Sequence, residues 1–272
     1  MQWGGEFGNA SVKEQTQRMV LSAYDVSRDL ADLVDGFWAY RGGRHPVRVL
    51  PDGCMDLLFD LSDSAGHARL VGTMTRAELV PGALGQRYFG VRFRPAEAMR
   101  FLHGSADAFV DSDVALPELG RRFDSLSDAV LSARSDTERI RRVQNFLLDP
   151  RERVRATDRR VRAAVELLKS STTLSVVRVA QQVGVGGRQL ERLFAEHVGV
   201  RPKLFARIAR LQRATALLGQ APQSLSALAL GCGYADSAHF TREVRELSGV
   251  TPTQWLRERR VGFVQDIPDA AE

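Results

Sequence analysis

Two segments in the C-terminal half of this chain repeat one another at a nearly constant spacing, and this repeat constrains the fold more than any other feature. Ala180 and Gly184 in the first segment recur as Ala229 and Gly233, 49 residues later. Downstream the offset becomes 50, in the pairs Arg192 and Arg242, Glu196 and Glu246, Gly199 and Gly249, Val200 and Val250, Pro202 and Pro252, and Phe205 and Trp255. A spacing this steady in both position and residue type predicts a duplicated structural unit.

Each unit has the pattern of a helix, a glycine-containing turn and a second helix. The small Ala180 or Ala229 lets the second helix approach closely, and Gly184 or Gly233 allows a turn that a β-carbon would penalise. An apolar residue follows each turn glycine and fills the angle between the two helices. These features predict a helix-turn-helix in each unit, and two copies in an Arg-rich region favour DNA binding.

The segment between the two units predicts one long helix over residues 202–218, with Pro202 in its first turn. Upstream, the apolar spacing of residues 159–168 predicts a further amphipathic helix. A long connecting helix would hold the two units at a fixed separation. Both second helices would then enter successive major grooves on one face of a DNA duplex, about one helical turn apart.

The charge of the chain is divided unevenly along its length. Residues 1–150 carry 18 basic and 21 acidic side chains, whereas residues 151–262 carry 20 basic and 9 acidic ones. A basic half joined to a near-neutral half is typical of a polyanion-binding module joined to a regulatory or catalytic one, although a solvated basic surface gives the same count. The basic side chains are mostly arginine, which suits contacts with guanine or phosphate, but a GC-rich genome produces the same bias.

Composition excludes several classes of protein. The chain of 272 residues is 44% hydrophobic and 26% charged, which is typical of a globular protein of about two domains and not of a disordered one. No stretch approaches the roughly 18 uncharged apolar residues of a membrane span, and residues 1–9 lack the pattern of a secretory signal. Two cysteines cannot build a disulfide framework. We therefore expect a cytoplasmic protein that does not associate with membranes.

The repeated segments resemble the AraC/XylS family of bacterial transcription regulators over about residues 158–260. The motifs that carry the resemblance are residues 228–234 (LALGCGY), 237–242 (SAHFTR) and 249–255 (GVTPTQW), together with residues 179–180 (VA), 183–185 (VGV), 190 (L), 192–194 (RLF) and 199–202 (GVRP). The resemblance implies an all-α DNA-binding domain of about seven helices with two recognition helices. It also implies double-stranded DNA as the partner, with RNA polymerase as a second one if the protein is an activator.

The resemblance also implies which side chains face DNA bases. In the first recognition helix they are Arg188, Glu191 and Arg192, and in the second they are Ser237, Ala238 and Arg242. Arginine donates bidentately to guanine or reaches a phosphate, and glutamate accepts from cytosine, although Glu191 could equally pair with Arg188 or with the turn that holds His197. His239 faces either the DNA or, beside Phe240, the protein. Four further residues are expected to contact phosphate or to cap helices: Ser175, Gly187, Ser224 and Asp236. The Gly186-Gly187 pair departs from the Ser/Thr-then-Pro of the family, which leaves the first recognition helix less well capped.

The N-terminal half contains short apolar runs separated by turn residues, which predict a β-rich sheet or partial barrel. The runs lie at residues 37–40, 47–50, 55–61, 70–72 and 88–93. We predict a helix over 95–102 and two more over 121–133 and 136–148, so that the chain as a whole is α+β. The expected divisions are an N-terminal segment (1–26), a sensor or oligomerisation domain (27–148), a linker (149–157), the DNA-binding domain (158–262) and an acidic tail (263–272).

Residues 50–57 (LPDGCMDL) and 90–95 (GVRFRP) resemble an uncharacterised N-terminal domain of some AraC-type regulators. That resemblance implies a sensor or a dimerisation role with no known ligand class, so a small-molecule effector and a homodimer both stay open. Four apolar side chains line either a ligand pocket or an ordinary core: Met55, Phe59, Phe89 and Phe93.

An alternative function is a DNA-recruited enzyme or redox sensor that uses Cys54. This thiol lies near Asp52 and Asp56 in sequence, and His45 and His67 could complete a nucleophile pair or a zinc site. A buried structural cysteine is the simpler interpretation. We therefore expect a transcription regulator that is not an enzyme and holds neither metal nor cofactor.

Overall fold

A computed structural model describes residues 20–63, 66–219 and 224–257 of the chain. Residues 1–19 of the expected N-terminal segment and the whole acidic tail lie outside the described residues. Within this described part, strands and two helices come first and seven helices follow, so the predicted α+β class is confirmed. We refer to residues 20–148 as the sheet region and to residues 159–257 as the helical region.

The strands of the sheet region are β1 (Val20–Tyr24), β2 (Val34–Arg41), β3 (Val47–Val49), β4 (Asp56–Asp60), β5 (His67–Val71), β6 (Glu78–Val80), β7 (Arg87–Phe93) and β8 (Asp113–Ala115). Six of them form an antiparallel sheet in the order β1-β2-β7-β4-β5-β8, and β3 and β6 form a separate two-stranded ribbon beside it.

The two faces of the six-stranded sheet are buried in different ways. Phe37 and Phe89, which alternate with outward residues along their strands, point to the face covered by α1 (Arg121–Leu131) and α2 (Asp136–Leu148). Trp38 and Tyr40 point to the opposite face, which lies under the β3–β6 ribbon. The sheet is therefore apolar on both faces, and the cluster on the second face has fewer buried residues.

Three details of the sheet region differ from the sequence-based expectation. The helix predicted over 95–102 is wrong, because Ala96 has a φ of +76° and only the single 3-10 turn Ala98–Arg100 forms. The N-terminal segment contributes a strand, since Val20–Tyr24 pairs with β2. The strands β6 and β8 were not predicted, because each has only three residues, mostly exposed, and forms no apolar run.

The helical region contains seven α-helices among its described residues, the number that the resemblance to the AraC/XylS family implied. They are α3 (Arg159–Ser170), α4 (Val176–Gln182), α5 (Gly187–His197), α6 (Pro202–Gly219), α7 (Leu225–Gly231), α8 (Ser237–Ser248) and α9 (Pro252–Arg257). None of the helices in the described part of the chain combines the length and the apolar character needed to cross a bilayer.

The central helix α6 connects two small hydrophobic cores. Phe205 near its start belongs to the core formed with α3, α4 and α5, whereas Leu211 and Leu218 belong to the core formed with α7, α8 and α9. Because one rigid helix takes part in both cores, it fixes the distance between the two units. This is the role that the sequence predicted for residues 202–218.

Candidate nucleic-acid interface

The internal repeat in the sequence corresponds to a repeat in backbone geometry. The turn glycines Gly184 and Gly233 have φ values of +72° and +85°, which side chains with a β-carbon rarely adopt. After each turn the chain makes the same hydrogen bond, in which the residue following the glycine donates its N–H to the carbonyl of Ala180 or Ala229, at 2.9 and 3.0 Å. Both second helices, α5 and α8, therefore leave their turns in the same way.

Helix α5 presents one charged face to solvent and buries the other. The exposed side chains are Arg188, Glu191 and Arg192, the three that the sequence assigned to DNA bases. Leu190 and Phe194 are fully buried in the first core. Neither Arg188 nor the turn at His197 forms an ion pair with Glu191 within the described residues, so this carboxylate is available to a partner.

Helix α8 has the same amphipathic arrangement. Ser237, Ala238 and Arg242 are exposed, while Phe240 and Val244 are buried in the second core. These are the three positions that the resemblance assigned to DNA bases, and Thr241, Arg245 and Glu246 of the same helix are exposed as well. At the assigned positions α8 offers fewer hydrogen-bonding groups than α5, since Ala238 presents only a methyl group.

The ring of His239 is directed toward the protein. Its Nδ1 accepts a hydrogen bond from the N–H of Ala235 at 3.2 Å, and the ring packs edge-on against Tyr234. Its Nε2 lies 3.6 Å from the carboxylate of Glu243. Of the two orientations that the sequence left open, the structure shows the inward one.

Glu243 joins α8 to α6, and the sequence analysis did not identify it. It is 5% exposed on the inner face of α8 and accepts hydrogen bonds from the guanidinium groups of Arg207 and Arg210 on α6, at 2.9 to 3.1 Å. This charged cluster attaches the second recognition helix to the central helix. The sequence did contain a signal for this role, since Glu243 follows His239 by four residues and therefore lies on the helix face that carries the buried Phe240.

The arginines of the helical region fall into two groups. Arg160, Arg207 and Arg210 are held in ion pairs with acidic side chains of the protein. Arg192 and Arg242, at equivalent positions of the repeat, form no ion pair within the described residues, and Arg242 contributes only its charge to lowering the pKa of Asp236. They are charged, exposed and uncommitted on two similarly built helices, as expected for an interface with a polyanion.

The residues expected as caps or phosphate contacts lie at the helix starts. The side chains of Ser175, Ser224 and Asp236 accept the backbone N–H groups of Arg178, Ala227 and His239, respectively. Gly187 is the first residue of α5, and the cap before it is Gly186, which has no side chain to accept a hydrogen bond. The N–H groups of the first turn of α5 consequently lack the side-chain cap found at the other three helices.

Cys54 lacks the surroundings of a reactive thiol. It is 8% exposed, and burial, reinforced by Asp52, raises the pKa of the thiol well above its ordinary value. His45 and His67 are both exposed and therefore do not share its buried site. Among the residues that the structure describes, no group of three or more His, Cys, Asp or Glu side chains is arranged to hold a metal ion.

A small apolar cavity of about 100 Å³ lies between the six-stranded sheet and the β3–β6 ribbon. Its walls are formed by Trp38, Tyr40, Val47, Val49, Leu58, Arg69, Val80 and Tyr88. The indole N–H of Trp38 is buried and has no hydrogen-bond partner within the described residues. Of the two interpretations offered for Met55, Phe59, Phe89 and Phe93, the structure supports the core, because all four pack in the cluster on the other face of the sheet.

Comparisons with known proteins find a family match in each of the two regions. A helix-turn-helix domain family matches residues 179–258, and a domain of unknown function, DUF6597, matches residues 23–115. The transcriptional regulators ArgR and GbdR of Pseudomonas aeruginosa are each 30% identical over 153 residues, or 55% of this chain. The match covers 46% of ArgR and 41% of GbdR, so it spans less than half the length of these curated relatives.

Among solved structures, an AraC-type transcriptional regulator from Chromobacterium violaceum is 31% identical. It aligns with 41% of this chain and 96% of its own, with a TM-score of 0.35.

Proposed function

Because residues 179–258 belong to the AraC-type helix-turn-helix family, we propose that this chain is a transcription regulator that binds a specific double-stranded DNA site. Helices α5 and α8 are the recognition helices and enter successive major grooves. The observation that carries the proposal is the pair Arg192 and Arg242, which are exposed on the outer faces of two equivalent helices and form no ion pair within the described residues.

The individual contacts follow from side-chain chemistry. Arg188, Arg192 and Arg242 donate to guanine, Glu191 accepts from the amino group of cytosine, and Ala238 contacts a thymine methyl group. Ser237 is hydrogen bonded to Ser226 at 2.9 Å, which places both hydroxyl groups together at the start of α8 and suits a backbone phosphate. We assign His239 a structural role, since its ring faces Tyr234 and Glu243.

The first recognition helix should carry most of the sequence preference. The positions assigned to DNA bases carry three charged side chains in α5, whereas in α8 they carry one long donor, Arg242. The uncapped N–H groups at Gly187 also lie at the positive end of the α5 dipole, where a phosphate is stabilised. Affinity should be largely electrostatic, and specificity should come from these few base contacts.

The proposal is tested by selecting duplexes from a random pool with the full chain, followed by binding titrations. We expect one enriched motif with two half-sites about one helical turn apart, bound at least about a thousandfold more tightly than random DNA. If no motif is enriched and all duplexes bind with equal affinity at a given salt concentration, the protein is a non-specific polyanion binder instead.

The sheet region is proposed to sense a small apolar molecule in the cavity beneath the β3–β6 ribbon. The buried indole N–H of Trp38 gives such a ligand one hydrogen-bond donor among aromatic walls. Thermal-shift screening of small aromatic compounds tests this role, and Leu58→Phe, which fills the cavity, should abolish any shift. Analytical ultracentrifugation tests the other role of this region, dimerisation.

We propose that the chain acts in the bacterial cytoplasm and is not an enzyme. RNA polymerase would be a further partner if the regulator is an activator. The relatives are named transcriptional regulators, and the inaccessible thiol of Cys54 argues against the enzyme and redox-sensor alternatives.

A further inference from the structure

One loop of the sheet region contacts the C-terminal ends of both recognition helices. This loop, residues Thr73–Ala77 between β5 and β6, is called the clamp loop here. The hydroxyl of Thr73, which is fully buried, donates to the carbonyl of Val198 at the end of α5, at 2.7 Å. Only four residues later, the N–H of Ala77 donates to the carbonyl of Leu247 in the last turn of α8, also at 2.7 Å.

These carbonyls are groups that a helix cannot satisfy by itself. The last four carbonyls of an α-helix have no partner within the helix, so donors from elsewhere in the protein stabilise them. The sheet region supplies a further donor at α8, since Arg48 on β3 donates to the carbonyl of Ser248 at 3.0 Å. Its positive charge also lies at the negative end of the α8 dipole.

The clamp loop is itself held in shape by a single aspartate. The carboxylate of Asp111 accepts the N–H and the hydroxyl of Thr75, at 2.7 and 2.5 Å. The N–H of Asp111 donates back to the carbonyl of Thr73 at 3.1 Å. Three hydrogen bonds to one residue leave the loop little freedom to lengthen or shift.

We propose that the clamp loop sets the distance between α5 and α8, and thereby the spacing between DNA half-sites that the protein accepts. This inference rests on the proposed function. One added base pair displaces a half-site by about 3.4 Å and rotates it by about 34°. A hydrogen bond of 2.7 Å does not survive such a displacement, because bonding is lost beyond about 3.5 Å. The braced loop therefore resists any change of spacing.

Thr73 and Asp111 are, in this view, positioning residues that act on DNA binding through the two helices. Both lie in the sheet region, and α6 already joins the two units from within the helical region. The clamp loop connects the two units a second time, at the C-terminal ends of α5 and α8. Two connections at different places restrict rotation as well as distance, which one helix alone does not.

The test uses the full chain and the DNA motif that it selects, with zero, one or two base pairs inserted between the half-sites. We expect the wild type to bind the one-base-pair insertion at least about tenfold more weakly than the selected site. Thr73→Val keeps the shape of the side chain but removes the donor, and Asp111→Ala removes the two hydrogen bonds that the carboxylate accepts from Thr75. Both variants should reduce this preference to less than about threefold. The matched control is Asp107→Ala, an exposed aspartate outside the loop, which should retain the wild-type preference.

The ratio between two DNA molecules separates positioning from a general loss of stability. A destabilised protein binds both duplexes more weakly by the same factor, so its ratio does not change. If Thr73→Val does not fold, Asp111→Ala at its exposed position decides the question. Variants that keep a tenfold preference, or a wild type that tolerates the insertion, would overturn the inference. Failure to select any motif would instead refute the proposed function, on which the inference depends.

Discussion

Glu97 of the sheet region and Arg162 of α3 form a bidentate ion pair between the two halves of the chain. The guanidinium donates to both carboxylate oxygens, at 3.0 and 3.1 Å, and the hydroxyl of Thr157 donates to the same carboxylate at 3.0 Å. Glu97 is 1% exposed, so its charge is stabilised by these donors and by the guanidinium of Arg100, 3.5 Å away. The two regions are thus connected by charge as well as by the clamp loop.

Replacement of this carboxylate should destabilise the whole protein. Glu97→Ala removes the acceptor for four side-chain hydrogen bonds, from Arg100, Thr157 and Arg162, and leaves the guanidinium of Arg162 without its partner. We expect a loss of about 2–3 kcal/mol in the free energy of unfolding, measured by urea denaturation. Glu118→Ala, at an exposed position of the same region, should cost less than about 0.5 kcal/mol. Equal midpoints for the two variants would contradict a stabilising role of the pair.

The two equivalent arginines should contribute to specificity. Arg192→Ala and Arg242→Ala should each weaken binding to the selected site by about 1–3 kcal/mol and weaken binding to random duplexes less. Titrations by fluorescence anisotropy at two salt concentrations measure both quantities. The exposed Arg141 on α2 is the control, and Arg141→Ala should change neither the affinity for the selected site nor the affinity for random duplexes. Equal losses on every sequence would mean that these arginines contact phosphate.

Both cysteines should resist alkylation in the folded protein. Cys54 and Cys232 are buried, and burial raises the pKa of each thiol, so few thiolates are present and reagents cannot reach them. We expect mass spectrometry to find no iodoacetamide adduct after native treatment at pH 7.5 and two adducts after treatment in urea. Rapid native labelling at Cys54 would revive the enzyme and redox-sensor alternatives.

His197 should make the protein less stable at mildly acidic pH. Burial, reinforced by the positive charge of Arg155, lowers the pKa of this imidazole below 6.5 in the folded state. The unfolded chain therefore binds the proton more readily, and stability falls as the pH drops below about 6.5. Urea denaturation at pH 7.5, 6.5 and 5.5 should show a shallower decline for His197→Gln than for the wild type.

The control for this pH effect is His67→Gln. His67 is exposed at the start of β5, so solvent reaches it in both the folded and the unfolded chain. This variant should follow the wild-type decline. A His197→Gln profile that runs parallel to the wild type would show that other groups cause the acid sensitivity.

Local patterns were sufficient to predict the helical region. The recurrence of Gly184 as Gly233 predicted two identical turns, and the apolar spacing around Phe194 and Phe240 placed their helix faces correctly. These features depend on backbone preferences and on a period of 3.6 residues, both of which are written in short stretches of sequence. The outward placement of Arg192 and Arg242 was implied by the family resemblance, and their exposure agrees with the same period.

The sheet region was predicted less completely, because its elements depend on partners that are distant in sequence. The helix expected at residues 95–102 failed at Ala96, whose unfavourable backbone conformation is imposed by its surroundings and not by its own preference. The cavity residues Trp38 and Tyr88 alternate with core residues along their strands, so sequence alone could not show that the second face is also covered.

The sequence by itself determined the repeated helix-turn-helix units and the side chains that they present, because each unit is specified by residues within one helical hairpin. The tertiary structure decided how the units are held. Thr73 contacts Val198 and Ala77 contacts Leu247 across separations of more than a hundred residues. A hydrogen bond between a loop and a helix end leaves no periodic trace in either segment, so only the folded chain brings such partners together.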